Sequence, residues 1–327
     1  MKLFENISLK PYTTFGIDVK ARRLMMLEPG DEVPPLDGKV LVLGEGSNMV
    51  FTSDYDGTVI TLAHSLSLST PHTPLITAWG GMVMDDLVQW TLDHDLFGLE
   101  NLSAIPGTVG ASAVQNVGAY GAEAKDFIEN VEAYDLLEQR LCNFSNADCQ
   151  FAYRDSFFKH HPGRYIILNV TYRLNQAFVP NLSYKALENL PHGTAHQLRQ
   201  SIIDLRWSKL PRPEEHGSAG SFFKNPVVDE EIYLRLKSEH PDMPDAHVLP
   251  TTHSPLPTYK LSAGWLIDRA GWKGRTMGGA GVWPKNALVL YNAGGCTGDE
   301  VVALARAIQQ DVEQKFGVSL EPEAIII

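Results

Sequence analysis

From Ile105 to Gly121 the chain reads Ile-Pro-Gly-Thr-Val-Gly-Ala-Ser-Ala-Val-Gln-Asn-Val-Gly-Ala-Tyr-Gly, with Gly107, Gly110, Gly118 and Gly121 among small side chains. Glycine at this density weakens helices and strands, and it suits places where backbone must come close to a flat or phosphorylated ligand. Pro106 fits an early helical position, from which free N–H groups would face a phosphate. A second glycine turn, Gly44-Glu45-Gly46-Ser47-Asn48, lies between the apolar run Val40 to Leu43 and Met49-Val50-Phe51, and reads as strand, turn, strand. Met49 stands where a dinucleotide fingerprint has its third glycine and no helix follows, so a Rossmann site is excluded. The turn is either a concave nest of N–H groups for an anion or a plain hairpin-like connection. Two such sites suit one extended dinucleotide cofactor better than either does alone; the competing reading is two loops that need glycine only for tight turns.

The 327 residues, 44% of them hydrophobic, leave room for two or three domains. Glu5 and Asn6 interrupt the start where a signal peptide needs an apolar core, and no apolar run approaches bilayer length, so a soluble cytoplasmic protein is expected. A net charge of -12 argues against nucleic acid or an anionic membrane as partner. An anionic ligand would then need the few cations gathered in one cleft, and Arg154, Lys209 and Lys224 are candidates; otherwise each is a solvated charge. Cys142, Cys149 and Cys296 are odd in number and form no CxxC pair, which favours reduced structural thiols. The proline-rich stretch His240 to Pro257 reads as a loop, and the spacing of His240, His247 and His253 matches no common metal-ligand pattern, so no metal is expected.

A helix is expected over Met82 to Leu96, stopped by Gly98. Another should begin at the capping box Thr297-Gly-Asp-Glu300 and carry Val301, Leu304, Ile308, Val312 and Phe316 on one stripe to Gly317. Val131 to Leu137 and Arg164 to Leu174 read as strands. Strands and helices intermix without a regular βαβ rhythm, so the fold class is α+β, with a boundary near residues 205 to 216.

Three short segments could carry chemistry. In Phe151 to Lys159, Arg154 could grip a carboxylate with its planar fork while Phe157 or Phe158 excludes water, or the segment is a turn with an Arg-Asp pair. In Gly217 to Pro226, small residues run straight into Phe222 and Phe223; Ser221 could face a dry pocket and protonate a basic carbon, with Lys224 and Asn225 as donors. In Leu320-Glu-Pro-Glu323, Pro322 suggests an edge strand with Glu321 and Glu323 on one side.

In this order, Pro11 to Ile17, Leu43 to Asn48, Gly98 to Gly121, Tyr153-Arg-Asp-Ser156, Gly220 to Pro226, Ala263 to Asp268 and Leu320 to Glu323 resemble the UDP-N-acetylenolpyruvoylglucosamine reductase (MurB) family over nearly the whole chain. The resemblance implies a vanillyl-alcohol-oxidase-type (PCMH-like) FAD-binding fold over residues 1–210, in two α+β subdomains split near 60–70. A smaller α+β substrate domain over 211–327 would follow, its last strand returning to the FAD region. It implies noncovalent FAD, held by Gly44, Glu45, Gly46, Ser47, Asn48, Pro106, Gly107, Gly110, Ala111, Ser112, Gly118, Tyr120 and Gly121, and NADPH as hydride donor. By the same resemblance Ser221 delivers a proton, and Arg154 and Glu323 stabilise an enol-like intermediate. Tyr153, Tyr184, Lys209, Lys224, Asn225 and Asn286 would contact a UDP-sugar substrate. Tyr184 suggests the branch with a substrate-covering tyrosine loop, while Trp283-Pro-Lys-Asn286 departs from a polar set ending in Gln. A monomer is expected. The alternatives are a flavin-dependent oxidase of the same superfamily and a nucleotide-sugar-binding module without catalysis.

Overall fold

The apolar run Val40–Leu43 pairs in parallel with Tyr55–Leu62, Leu43 opposite Thr61, in a four-stranded sheet completed by Lys20–Leu27 and, at the edge, Lys2–Ser8. The computed structural model of the chain describes residues 1–72, 74–249 and 257–327. His253 and the prolines at 250 and 255 lie outside them. A second, five-stranded antiparallel sheet runs in the order Arg140–Ser145, Ile128–Asp135, Tyr165–Arg173, Leu75–Trp79, Leu68–His72. Its inward residues Val131, Ala133, Val170 and Tyr172 meet helices α1 (Met84–Asp93) and α2 (Val109–Gln115). Met25, Leu27, Ile60 and Leu62 from the first sheet pack with Trp79 and Ile166 from the second, so both sheets share apolar burial. Each such side chain contributes about 1.5–3 kcal/mol. Helix α3 (Ala195–Lys209) buries Leu198 and Ile202 against Leu187.

These elements form one unit, Met1–Ser8, Lys20–Glu45 and Tyr55–Trp207; the other comprises Leu9–Val19, Gly46–Asp54 and Ser208–Ile327. The second unit holds the antiparallel sheet Ser218–Ser221, Val289–Asn292, Ala280–Val282, Thr276–Met277 and a three-stranded sheet of Val227–Asp229, Thr258–Lys260 and His247–Leu249. It also holds α4 (Glu230–Glu239), α5 (Ala263–Arg269) and α6 (Gly298–Phe316). Its last strand, Ile325–Ile326, pairs in parallel with Met49–Val50. The mixed sheets and helices are the expected α+β class. No helix among the described residues is long and apolar enough to cross a membrane.

Helix α6 is as its sequence reads: Thr297 and Glu300 form the reciprocal capping box, the stripe Val301, Leu304, Ile308, Val312, Phe316 is buried, and Gly317 turns left-handed at φ 66°. Elsewhere local signals mislead. Helix α1 stops at Asp93, capped by His94, because Asp95 takes the left-handed conformation at φ 55°; Gly98 lies beyond, where a Cβ would come within 2.5 Å of the Phe127 ring. The stretch read as a loop from His240 contains the strand His247–Leu249, stabilised by pairing with Thr258–Lys260.

Arg164 binds Asp135 in a fork, Nη2 to Oδ2 at 2.7 Å and Nε to Oδ1 at 3.2 Å, beside the register pair Asp135 and Tyr165. These bonds, with the Leu137 and Glu138 N–H groups, outweigh burial and hold the Asp135 carboxyl at about 2. A folded-state value below the unfolded one stabilises above pH 4 and is lost as pH falls through 2, an effect of about 2 kcal/mol. Denaturant titrations should show Asp135→Asn less stable than the parent by that amount at pH 7 and level with it near pH 2; an equal deficit at both pH values would refute the linkage.

Candidate functional site

In the first unit the two glycine-rich segments meet. The Gly107 N–H donates to Glu45 Oε2 at 2.5 Å, and a Cβ on Gly44 would lie 3.0 Å from Thr108 Oγ1 and 3.2 Å from the Ala111 methyl. The turn is no hairpin, since Val40–Leu43 and Met49–Val50 belong to different sheets. The Glu45 amide has no acceptor in the protein among the described residues, and in the second unit neither do the Gly46 and Asn48 amides.

The expected role of Pro106 changes. Helix α2 begins after Thr108, whose Oγ1 accepts the Ala111 N–H, so Pro106 stands two residues before the cap. The helix start offers little to a phosphate, because the Gly107, Val109 and Gly110 amides already bond Glu45, Met82 and Gly80. Gly110 faces Gly80 and Ile167, and the buried Ser112 hydroxyl bonds the Val109 carbonyl near Tyr172. Gly118-Ala119 and Ala122-Glu123 form a short hairpin whose corner, Tyr120-Gly121, has φ values of 50° and 88°.

Tyr153 and Arg154 occupy the turn closed by the Ala152–Asp155 bridge. Arg154 has φ 56°, a conformation that costs a side-chain-bearing residue about 1–2 kcal/mol. Lys159 Nζ bonds the Arg154 carbonyl at 2.7 Å, and Asp155 Oδ2 lies 2.7 Å from His160 Nε2. Phe158 is buried with Phe144 and Tyr165 in an aromatic cluster that also takes Phe157, so these rings pack into the unit's interior.

In the second unit, Phe222 and Phe223 are buried and pin the neighbouring backbone. The Glu323 N–H donates to the Phe222 carbonyl at 2.8 Å and the Lys224 N–H to the Glu321 carbonyl at 2.9 Å, flanking a bridge between Phe223 and Pro322. The contact is an isolated bridge in which the missing Pro322 N–H would have faced away from Phe223, and it is not extended, so residues 320–323 are not the expected edge strand; the strand begins at Ile325. Asn48 Nδ2 bonds the Glu323 carbonyl at 3.1 Å and the Ile325 N–H returns to the Asn48 carbonyl. Asn48, Ser221 and Glu323 are thereby held on adjoining backbone. Ser221 is exposed, not enclosed in a dry pocket, after Gly220 at φ 65°. Lys224 pairs with the exposed Glu321, and Asn225 Oδ1 accepts the Ala263 N–H at the start of α5. Asn286 Oδ1 accepts the Leu288 N–H within its own turn. Lys209 is exposed at the end of α3.

Residues 36–139 match the FAD binding domain, and 212–327 match the UDP-N-acetylenolpyruvoylglucosamine reductase C-terminal domain. A UDP-N-acetylenolpyruvoylglucosamine reductase of Burkholderia ambifaria is 42% identical, over 100% of this chain and 97% of the relative. The chain belongs to the UDP-N-acetylenolpyruvoylglucosamine reductase family. The Pseudomonas aeruginosa member is likewise 42% identical, over 99% and 98% of the two chains. The crystal structure of the Thermus caldophilus member shares the fold with a TM-score of 0.68 at 24% identity, covering 100% of this chain and 99% of that one.

The FAD-binding match includes both glycine segments, and the Gly44 cradle with the open Glu45 amide beside it fits a dinucleotide. One charged group went unnoticed in the sequence. Arg206 extends the buried stripe Leu198, Ile202 of α3 by one more turn, and its Nε is buried without a hydrogen-bond partner among the described residues. Burial pushes the guanidinium below its ordinary value, Tyr120 and Asp85 pull it back up, and nearby Arg154 lowers it again. Arg154 and Arg206 therefore concentrate positive charge in a strongly acidic chain. An arginine at i+4 on an apolar stripe was the readable signal.

Proposed function

We infer that this member of the family reduces the enolpyruvyl double bond of UDP-N-acetylglucosamine enolpyruvate to UDP-N-acetylmuramate in peptidoglycan precursor synthesis, with noncovalent FAD and with NADPH as electron donor. The observation that carries the reading is the end-to-end family match, which takes in the FAD-binding segment and the C-terminal domain with Ser221 and Glu323. Gly44 to Asn48 and the segment Pro106 to Gly121 would hold FAD. When bound there, FAD would supply the two-electron chemistry that carries hydride from NADPH to the terminal vinyl carbon.

Charge then develops on the conjugated carboxylate, and the neighbouring carbon becomes a strong base. The Arg154 fork is assigned to that carboxylate, and Glu323 is assigned to the same developing charge. Ser221 donates its proton to the basic carbon, and its exposure gives the resulting alkoxide access to water for reprotonation. Tyr153, Tyr184, Lys209, Lys224 and Asn225 are assigned to the sugar nucleotide, and Asn286 to a weaker contact because its carbonyl oxygen is already engaged. The protein works as a cytoplasmic monomer.

The purified protein should be yellow and lose its colour to the supernatant on acid precipitation, and it should consume NADPH steadily only when the enolpyruvyl nucleotide is present. Flavin that stays with the precipitate, or turnover with oxygen and an alcohol instead, would favour the oxidase reading. NADPH consumption unaffected by the nucleotide would sink the proposal.

A further inference from the structure

Within the first unit, two asparagines tie the segment carrying Tyr184 to the Tyr120-Gly121 corner. Asn101 is buried, and its amide donates to the Tyr120 carbonyl at 2.7 Å and the Asn181 carbonyl at 2.9 Å. Both of its N–H bonds are thus spent on backbone from two loops remote from each other in sequence. Asn181 answers from the other side: its Nδ2 donates to the Gly121 carbonyl at 3.0 Å, while its Oδ1 accepts the Ser183 N–H at 3.1 Å and the Ser183 hydroxyl at 2.7 Å. The fit is close, since a Cβ on Gly121 would fall 1.9 Å from Ser183 Oγ. The Tyr184 ring then meets the Tyr120 ring edge-on at 5.2 Å. Tyr184 is nevertheless 40% exposed, so burial alone does not fix it.

We propose that Asn101 and Asn181 are positioning residues: together they latch the Tyr184 segment onto the Tyr120-Gly121 corner, so that the tyrosine assigned to the sugar nucleotide is set in place by the same corner assigned to the flavin. An amide is the side chain the job requires. Asn101 must donate twice, which an aspartate cannot do, and Asn181 must donate and accept at once, which neither an aspartate nor an amine can do. Ordering the loop before the substrate arrives removes an entropic cost from binding, so the latch acts on substrate affinity and leaves the chemical step alone. The inference rests on the proposed reading of Tyr184 and Tyr120.

The test uses the full-length, FAD-loaded enzyme. Asn181→Ala should raise KM for the enolpyruvyl nucleotide by about tenfold with kcat within about twofold, while reduction of the flavin by NADPH alone keeps its rate. Asn101→Asp, which keeps the size but removes both donors, should give the same split. In a Tyr184→Ala background Asn181→Ala should add nothing to KM, because the loop no longer carries the group that the latch positions. Hydrogen exchange supplies a readout apart from turnover: the Ser183 amide should lose protection in Asn181→Ala while the five-stranded sheet keeps its own. An unchanged KM in Asn181→Ala, or an equal rise of KM with and without Tyr184, would overturn the latch even though the parent enzyme turns over. A parent that shows no nucleotide-dependent turnover would instead refute the functional reading, and the exchange of Ser183 would still decide whether the latch exists.

Discussion

Ser221→Ala is expected to accept electrons from NADPH at the parent rate and then to stall when the enolpyruvyl nucleotide is added. The two half-reactions should separate because the role proposed for the hydroxyl belongs to only one of them: delivery of a proton to the carbon that becomes basic after hydride addition. Loss of a positioned proton donor slows such a step roughly a hundred- to ten-thousand-fold. Stopped-flow absorbance of the flavin reads both phases in one protein. The substitution is benign for the fold, since Ser221 is exposed at the end of its strand and the adjoining Phe222 and Phe223, not the hydroxyl, anchor the segment. Exposure also sharpens the expectation with solvent. A proton relayed from water through Ser221 should give a solvent isotope effect on reoxidation in the parent. Reoxidation at the parent rate in Ser221→Ala would remove the residue from the chemistry and leave water as the donor.

The parts of this molecule that could be read in advance are those whose signal is local. The capping box at Thr297, the stripe behind it and Gly317 all act within one helix, so helix α6 is legible residue by residue. The strand read over Arg164 to Leu174 follows from its apolar run, and it is there as Tyr165–Arg173. One local reading is displaced: Pro106 reads as an early helical position, but the helix starts after Thr108, whose side chain satisfies the Ala111 amide. What depends on distant chain was out of reach. His247–Leu249 becomes a strand only because Thr258–Lys260 lies alongside it, whereas the pairing of Ile325–Ile326 with Met49–Val50 was implied only by the family resemblance and by no local signal.

The candidate site divides in the same way. Glycine segments and aromatic junctions announce themselves by composition, whereas Asn101, Asn181 and Arg206 are ordinary polar residues until the fold shows what surrounds them. Arg206 is the instructive case, because its position on the α3 stripe was visible and its cost was not. A buried guanidinium with an unused Nε is tolerable where an anion is to arrive, and Arg154 at its side adds to the same field.

Arg154 carries the second large expectation. Arg154→Ala should retain FAD, with an unchanged visible spectrum, and lose about a hundred- to a thousandfold in kcat/KM for the enolpyruvyl nucleotide, about 3–4 kcal/mol of transition-state stabilisation. Arg154→Lys should recover little, since an ammonium keeps the charge but lacks the planar fork that matches a carboxylate. The backbone supplies a control that a purely structural role would fail. At φ 56° the residue sits in a left-handed conformation that glycine adopts without cost, so Arg154→Gly relieves strain of about 1 kcal/mol while deleting the guanidinium. That variant should therefore be at least as stable as Arg154→Ala by thermal unfolding and just as inactive with the nucleotide, with the NADPH half-reaction intact in both. Stability and activity would then move independently at one residue, as expected where strain is retained to aim a functional group. Loss of FAD in these variants would instead place Arg154 with the cofactor, and retained kcat/KM would leave the left-handed turn without a functional reason.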